Sequence, residues 1–146
     1  MKNDQSGALA LVGSGEYLPK LQALEQELLR LGISRGKSNT YIQIPTAAGK
    51  EGDDRLDFWR QRGAEQGARI GCEVKYLPVL TRDDANNPQW IEEIKNAGLI
   101  YFSGGDPVHL CEISHKLRCG RQLFQRGRKV HPLQVVLLER WPLAER

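Results

Sequence analysis

Gly98-Leu-Ile-Tyr-Phe-Ser-Gly-Gly-Asp-Pro107 runs through three kinds of local structure. Leu99–Ser103 is an apolar, aromatic run that predicts a buried β-strand. Gly104-Gly105 predicts a tight turn. Asp106-Pro107 predicts a helix start, with a capping aspartate and a proline at the first helical position. A strand that passes through glycines into a helix N-terminus leaves bare backbone N–H groups at the edge of a sheet. Such an edge can hold an anion, or an oxygen that becomes one during a reaction.

The same strand-to-helix pattern recurs upstream. Gly7–Gly13 reads as a first buried strand and Gly13-Ser-Gly-Glu16 as the turn after it. Pro19–Leu31 has apolar residues at Leu21, Leu24, Leu28 and Leu31, one face of a helix closed by Gly32. Thr40–Pro45 is a second strand, followed by the turn Thr46-Ala-Ala-Gly49. Asp53 or Asp54 can cap a second helix bearing Leu56, Trp59, Gly63 and Ala64 and ending near Gly71. Glu73–Pro78 is a third strand, Thr81–Asn87 a polar turn, and Pro88 opens a third helix with Trp90, Ile91 and Ile94 facing inward. Pro107 begins a fourth helix that carries Val108, Leu110, Cys111 and Ile113. Four strand–helix alternations predict an α/β fold, a parallel sheet with helices on both faces. Ligands in such sheets bind beyond the carboxyl ends of the strands. The turns 13–16, 46–49 and 104–106 all fall at that edge.

With 146 residues the chain makes at most one domain, and 40% apolar and 27% charged residues are ordinary for a soluble one. No run of about 18 apolar residues exists to span a membrane, and the N-terminus lacks the apolar core of a signal peptide. Cys72, Cys111 and Cys119 show no metal-ligand spacing, which points to a reducing, cytoplasmic compartment. The net charge of +3 is unevenly spread. Residues 114–146 hold eight of the 21 basic residues and two of the 18 acidic ones, a balance of +6, and residues 1–113 carry −3. That sign change marks a composition boundary. After Ile113 the periodicity stops, although Gln134–Leu138 still reads as a strand. The basic tail has only Phe124 and Trp141 as aromatics and matches no nucleic-acid module, so a solvated tail is favoured over nucleic-acid binding.

The Gly104-Gly105 pair has two readings of equal standing. One is an oxyanion site of backbone N–H groups, which can lower a transition state by about 3 kcal/mol. The other is a turn that requires glycine. Asp106 reads as an N-cap before it reads as a substrate contact. Gly13-Ser-Gly-Glu16 is not G-x-G-x-x-G and lacks a P-loop Lys-Ser pair, so a plain turn is favoured over phosphate binding. Glu16 points into the cleft or complements the dipole of the following helix. Ser14, Thr46, Ser103 and Cys111 are candidate nucleophiles, each needing a base. Of the three histidines, His109 reads as a surface residue, and His115 and His131 fall in the irregular tail. No triad and no zinc site can be assembled from them.

Gly13-Ser-Gly-Glu16, Ile44-Pro-Thr-Ala-Ala48 and above all Ile100-Tyr-Phe-Ser-Gly-Gly-Asp-Pro-Val-His-Leu110 resemble the cyanophycinase and dipeptidase E family of serine peptidases. The likeness covers residues 7–113 in order and spacing. It implies a flavodoxin-like fold of the class I glutamine amidotransferase type, incomplete here at the C-terminus. It also implies a small peptide substrate, no cofactor, and compatibility with an oligomer. Gly104 and Gly105 match the family's oxyanion positions. With Asp106 they form the oxyanion and substrate-binding candidates, and Gly15, Glu16 and Thr46 are further cleft candidates. Cyanophycinases tend to carry glutamine after the Asp. Pro107 stands there instead, which argues against cyanophycin as the substrate.

The resemblance implies a serine nucleophile in a Gly-x-Ser-Ala-Gly-Ala elbow roughly 30 residues beyond the Gly-Gly turn. This chain has Leu133-Gln-Val-Val-Leu-Leu-Glu-Arg-Trp-Pro-Leu-Ala144 at that distance. Reading each codon's last base with the first two of the next, from Gln134 to Pro142, permits Gly-Cys/Ser-Ser-Ala-Gly-Ala-Met-Ala. The shifted frame thus sets a nucleophile near Val136 and Leu137. Two segments are expected: 1–113, the N-terminal part of an amidotransferase-like peptidase domain, and 114–146, an out-of-frame basic tail. The expected chain is inactive and poorly folded, its fourth strand left without a neighbour. The alternative is a non-enzymatic α/β ligand-binding protein whose genuine basic tail binds an acidic partner.

Overall fold

A computed structural model of the chain describes residues 8–12, 15–114 and 135–138. Its strands are β1 (Leu9–Val12), β2 (Ser38–Ile44), β3 (Glu73–Tyr76), β4 (Ala97–Phe102) and β5 (Val135–Leu138). The helices are α1 (Gln22–Ser34), α2 (Asp53–Ile70), α3 (Arg82–Ala85), α4 (Pro88–Asn96) and α5 (Pro107–Ser114). Short 3-10 turns occupy Pro19–Leu21 and Thr46–Ala48. The strands form one sheet in the order β1-β5-β4-β2-β3, and every neighbouring pair is parallel.

The side-chain period of a strand splits the core in two. Tyr41, Leu99 and Tyr101 point to one face, where Leu28 and Leu29 of α1 and Trp59 and Ile70 of α2 cover them. Ile42, Ile44, Ile100 and Phe102 point to the other, against Ile91 and Ile94 of α4 and Leu110 and Ile113 of α5. The predicted α/β sheet with helices on both faces is therefore the observed architecture.

One expectation about β4 is overturned. It does not lack a neighbour. It pairs with β2 on one side and with β5 on the other, where Ile100 and Tyr101 register with Val135 and Val136. Val135-Val-Leu-Leu138 is apolar and half of it is β-branched, a composition that suits a parallel strand.

Three helix details also differ from expectation. Gly32 does not end the first helix, which continues to Ser34. A Cβ at Gly32 would lie 2.2 Å from the Gly98 carbonyl oxygen, so this glycine lets α1 rest on β4. The buried face of α1 is consequently Glu25, Leu28, Leu29 and Gly32, while Leu24 is exposed. Asp53 and Asp54 do not cap α2. Gly52 precedes the helix, and both aspartates lie in its first turn, where they complement the positive end of the dipole. The stretch expected as a polar turn at 81–87 contains α3, opened by a reciprocal capping box. Thr81 accepts the Asp84 N–H at 3.2 Å and Asp84 accepts the Thr81 N–H at 2.9 Å.

Candidate active site

The end of β4 and the turn after it are fixed from three directions. Ser103 N–H donates to the Ile44 carbonyl oxygen at 3.1 Å, which extends the β2–β4 ladder by one bond. Asp106 N–H donates to the Ala47 carbonyl oxygen at 2.7 Å. Between them Gly105 has φ +151° and lies so near Ala47 that a Cβ would sit 2.4 Å from its carbonyl carbon and oxygen. Both the dihedral and the space require glycine there. Among the described residues, neither the Gly104 nor the Gly105 N–H has a hydrogen-bond acceptor. Two backbone donors thus stand unused at the carboxyl edge of a parallel sheet.

Asp106 caps α5. Its Oδ1 accepts the Val108 N–H at 2.8 Å and the His109 N–H at 3.3 Å, the arrangement expected for an N-cap followed by proline. His109 is buried, not on the surface as expected. Its Nε2 lies 3.2 Å from the Leu80 carbonyl oxygen and close to Gly49, and its Nδ1 has no partner among the described residues. Thr46 is buried and donates its hydroxyl to the Val79 carbonyl oxygen at 2.6 Å, which ties the turn after β2 to the chain leaving β3. It does not face a cleft. Cys111 is exposed on α5. Ser14, His115, His131 and Cys119 lie outside the described residues. Val136 and Leu137 lie within β5, beside the strand that leads to Gly104.

A buried polar cluster behind the turn was not readable from the sequence. Tyr17 is fully buried, and its hydroxyl pairs with Ser103 Oγ at 2.6 Å. Gln43 Nε2, reaching across from β2, lies 2.9 Å from that hydroxyl, 3.3 Å from Ser103 Oγ and 2.5 Å from the Trp59 carbonyl oxygen. Tyr17 N–H also donates to the Tyr101 hydroxyl at 3.3 Å, and Arg69 Nη2 donates to the Tyr17 carbonyl oxygen at 2.9 Å. Ser103 is therefore a buried hydrogen-bonding residue and not an exposed nucleophile. Desolvation drives the Tyr17 phenol well above its ordinary range, so its hydroxyl stays neutral. Tyr17 holds φ +56°, a strained value for a side-chain-bearing residue that this set of bonds maintains.

The strained residue delivers Glu16 to the glycine turn. Glu16 Oε2 accepts the Gly15 N–H at 3.1 Å. A Cβ at Gly104 would lie 2.4 Å from Glu16 Oε1. Glycine at 104 therefore makes room for a carboxylate. Gly15 (φ +87°), Glu16, Gly104, Gly105 and the capping Asp106 converge at one edge, as expected for the first and last of the three turns. Among the described residues, no group of three or more His, Cys, Asp or Glu side chains could hold a metal ion, and no helix is long and apolar enough to cross a membrane.

Residues 9–133 match the model of peptidase family S51. The chain belongs to that family. The crystal structure of a peptidase from an acI-B1 Actinobacterium superposes on this S51 chain with a TM-score of 0.82 and 45% sequence identity. The match covers 90% of this chain and 54% of that one, so the S51 chain spans about half the length of its solved relative. No curated protein matches it. The family match supports the resemblance carried by residues 7–113, and it runs on past the change of charge at residue 114.

Proposed function

We propose that the site is half of a cytoplasmic serine-type peptidase of the cyanophycinase type, cleaving a small peptide or isopeptide by acyl transfer. The observation that carries this is the pair of N–H groups at Gly104 and Gly105, beside β5, that have no acceptor among the described residues. In acyl transfer a nucleophile attacks a carbonyl carbon, and the carbonyl oxygen takes up negative charge. Preorganised N–H donors stabilise that charge, and losing one such donor typically costs about 3 kcal/mol. Asp106 contributes by fixing the start of α5, so the turn cannot relax away from the oxygen.

The serine belongs on a strand-to-helix elbow next to this turn. β5 is the neighbouring strand, and its codons are the ones whose shifted frame permits Gly-Cys/Ser-Ser-Ala-Gly. The family match ends at residue 133, immediately before those codons begin at Gln134. That end point supports a one-base shift whose junction lies nearer residue 133 than residue 114. With no elbow in its 146 residues, the chain carries the oxyanion half and does not turn over peptide.

The coding DNA and a frame-corrected protein test this together. The shifted frame reads through the elbow without a stop, and the corrected protein hydrolyses small peptides until its elbow serine is changed to alanine. An early stop in that frame, or a corrected and folded protein with no hydrolase activity, overturns the proposal.

A further inference from the structure

We propose that Glu16 is a specificity-determining residue that binds a positive charge carried by the substrate next to the carbonyl under attack, an assignment that rests on the peptidase reading above. Glu16 is half-buried and forms no ion pair with any described residue. Lys20 Nζ lies beside Gly15 but makes no ion pair with the Glu16 carboxylate. The carboxylate is nonetheless held in place. Gly15 N–H binds Oε2, Gly104 leaves space for Oε1, and the following Tyr17 is clamped through its N–H, its carbonyl oxygen and its hydroxyl.

A fixed negative charge at that position opposes the chemistry that the two N–H donors favour. It raises the energy of an oxyanion forming beside Gly104, because like charges at short range in a partly dry site repel. A cation supplied by the substrate removes the conflict, since it is attracted to Glu16 and to the forming oxyanion alike. In a residue with a free amino terminus, the ammonium nitrogen and the carbonyl oxygen are separated by only two carbon atoms. One such fragment satisfies both the carboxylate and the glycine N–H pair. A cationic side chain on the same residue is the other source of this chemistry.

The test uses the 146-residue chain with small amide probes, followed through the 15N–1H signals of Gly104 and Gly105. L-Alaninamide carries the α-ammonium, N-acetyl-L-alaninamide carries no cation, and Nα-acetyl-L-lysinamide carries only a side-chain cation. A cationic probe gives saturable shifts at both glycines, while the uncharged probe and the E16Q variant bind about tenfold more weakly, the usual scale for a hydrogen bond to a charged group. Whichever cationic probe binds identifies the source of the charge. No saturable shift with any probe, equal binding of the uncharged probe, or unaltered binding by E16Q overturns the assignment. The outcome is separate from that of the peptidase reading. A frame-corrected protein that cleaves N-acetylated peptides without any cationic side chain as well as their cationic counterparts sinks the role of Glu16 alone, whereas one that cleaves nothing sinks the peptidase reading and leaves the binding result standing.

Discussion

Replacing Glu25 by glutamine should make the chain more stable above neutral pH and flatten its pH profile. Glu25 sits on α1 with no exposed surface, facing Gln66 of α2. Gln66 Nε2 donates to its Oε2 at 2.7 Å, and its Oε1 has no partner among the described residues. Desolvation raises the carboxyl from its ordinary 4.5 to about 7, against the smaller opposing effects of Gln66 and Arg69. The folded state therefore holds a proton that the unfolded chain has already released between those two values. Stability from this group is complete below about pH 4.5, falls as pH rises, and is lost once pH passes about 7. A shift of that size corresponds to about 3 kcal/mol. For a chain of this length that is on the order of 6–12 °C in Tm. Glutamine keeps the shape, can still pair with Gln66, and cannot ionise. Urea unfolding of both proteins from acid to mildly alkaline pH measures the difference directly, because every other titrating group cancels. The variant should gain on the wild type through the window from 4.5 to 7. A pH-independent difference refutes the reasoning.

Two further substitutions probe the contacts that shape the sheet edge. Gly32→Ala drives a methyl group into the Gly98 carbonyl, and because backbone lies on both sides the helix must move; a loss of about 1–3 kcal/mol is expected in urea unfolding, and a neutral result would mean that α1 does not rest on β4. Tyr17→Phe removes a hydroxyl that pairs with Ser103 and accepts from Gln43; chemical denaturation should show a loss of about 1–2 kcal/mol, and no loss would show that the buried cluster is not bonded as described.

Much of the sheet was legible because burial on both faces forces a strong pattern. Leu99–Phe102 is continuously apolar or aromatic, and Tyr41–Ile44 is so apart from Gln43, a pattern that suits a strand buried on both faces. The turn chemistry was equally plain, since Asp106 before Pro107 has one good use and the structure shows it. What escaped is pairwise and long-range. Gly32 looks like a helix terminator until Gly98 is known to lie under it. Leu24 reads as part of the inward face of the first helix, but the structure turns Glu25 inward against α2 and leaves Leu24 exposed. Thr46 and Ser103 read as candidate nucleophiles and His109 as a surface residue, and each instead makes a buried hydrogen bond to an element distant in sequence. Gly105 is exposed and Glu16 half-buried at the same sheet edge, while Gly104 is buried behind them.

The order β1-β5-β4-β2-β3 also dictates when the chain can fold. β2, β3 and β4 form a contiguous patch whose pairings close as soon as residue 102 has left the ribosome. β1 is made first but bonds only to β5, so Leu9 waits for Val135 before it has a neighbour. Loop closure over that separation is slow and entropically costly. β1 therefore stays without its sheet partner until Val135–Leu138 has been made. β5 then acts as a keystone between β1 and β4, and the slot it fills asks only for four apolar residues of β propensity. Sequence drift that ruins a catalytic motif there can leave this final folding step intact.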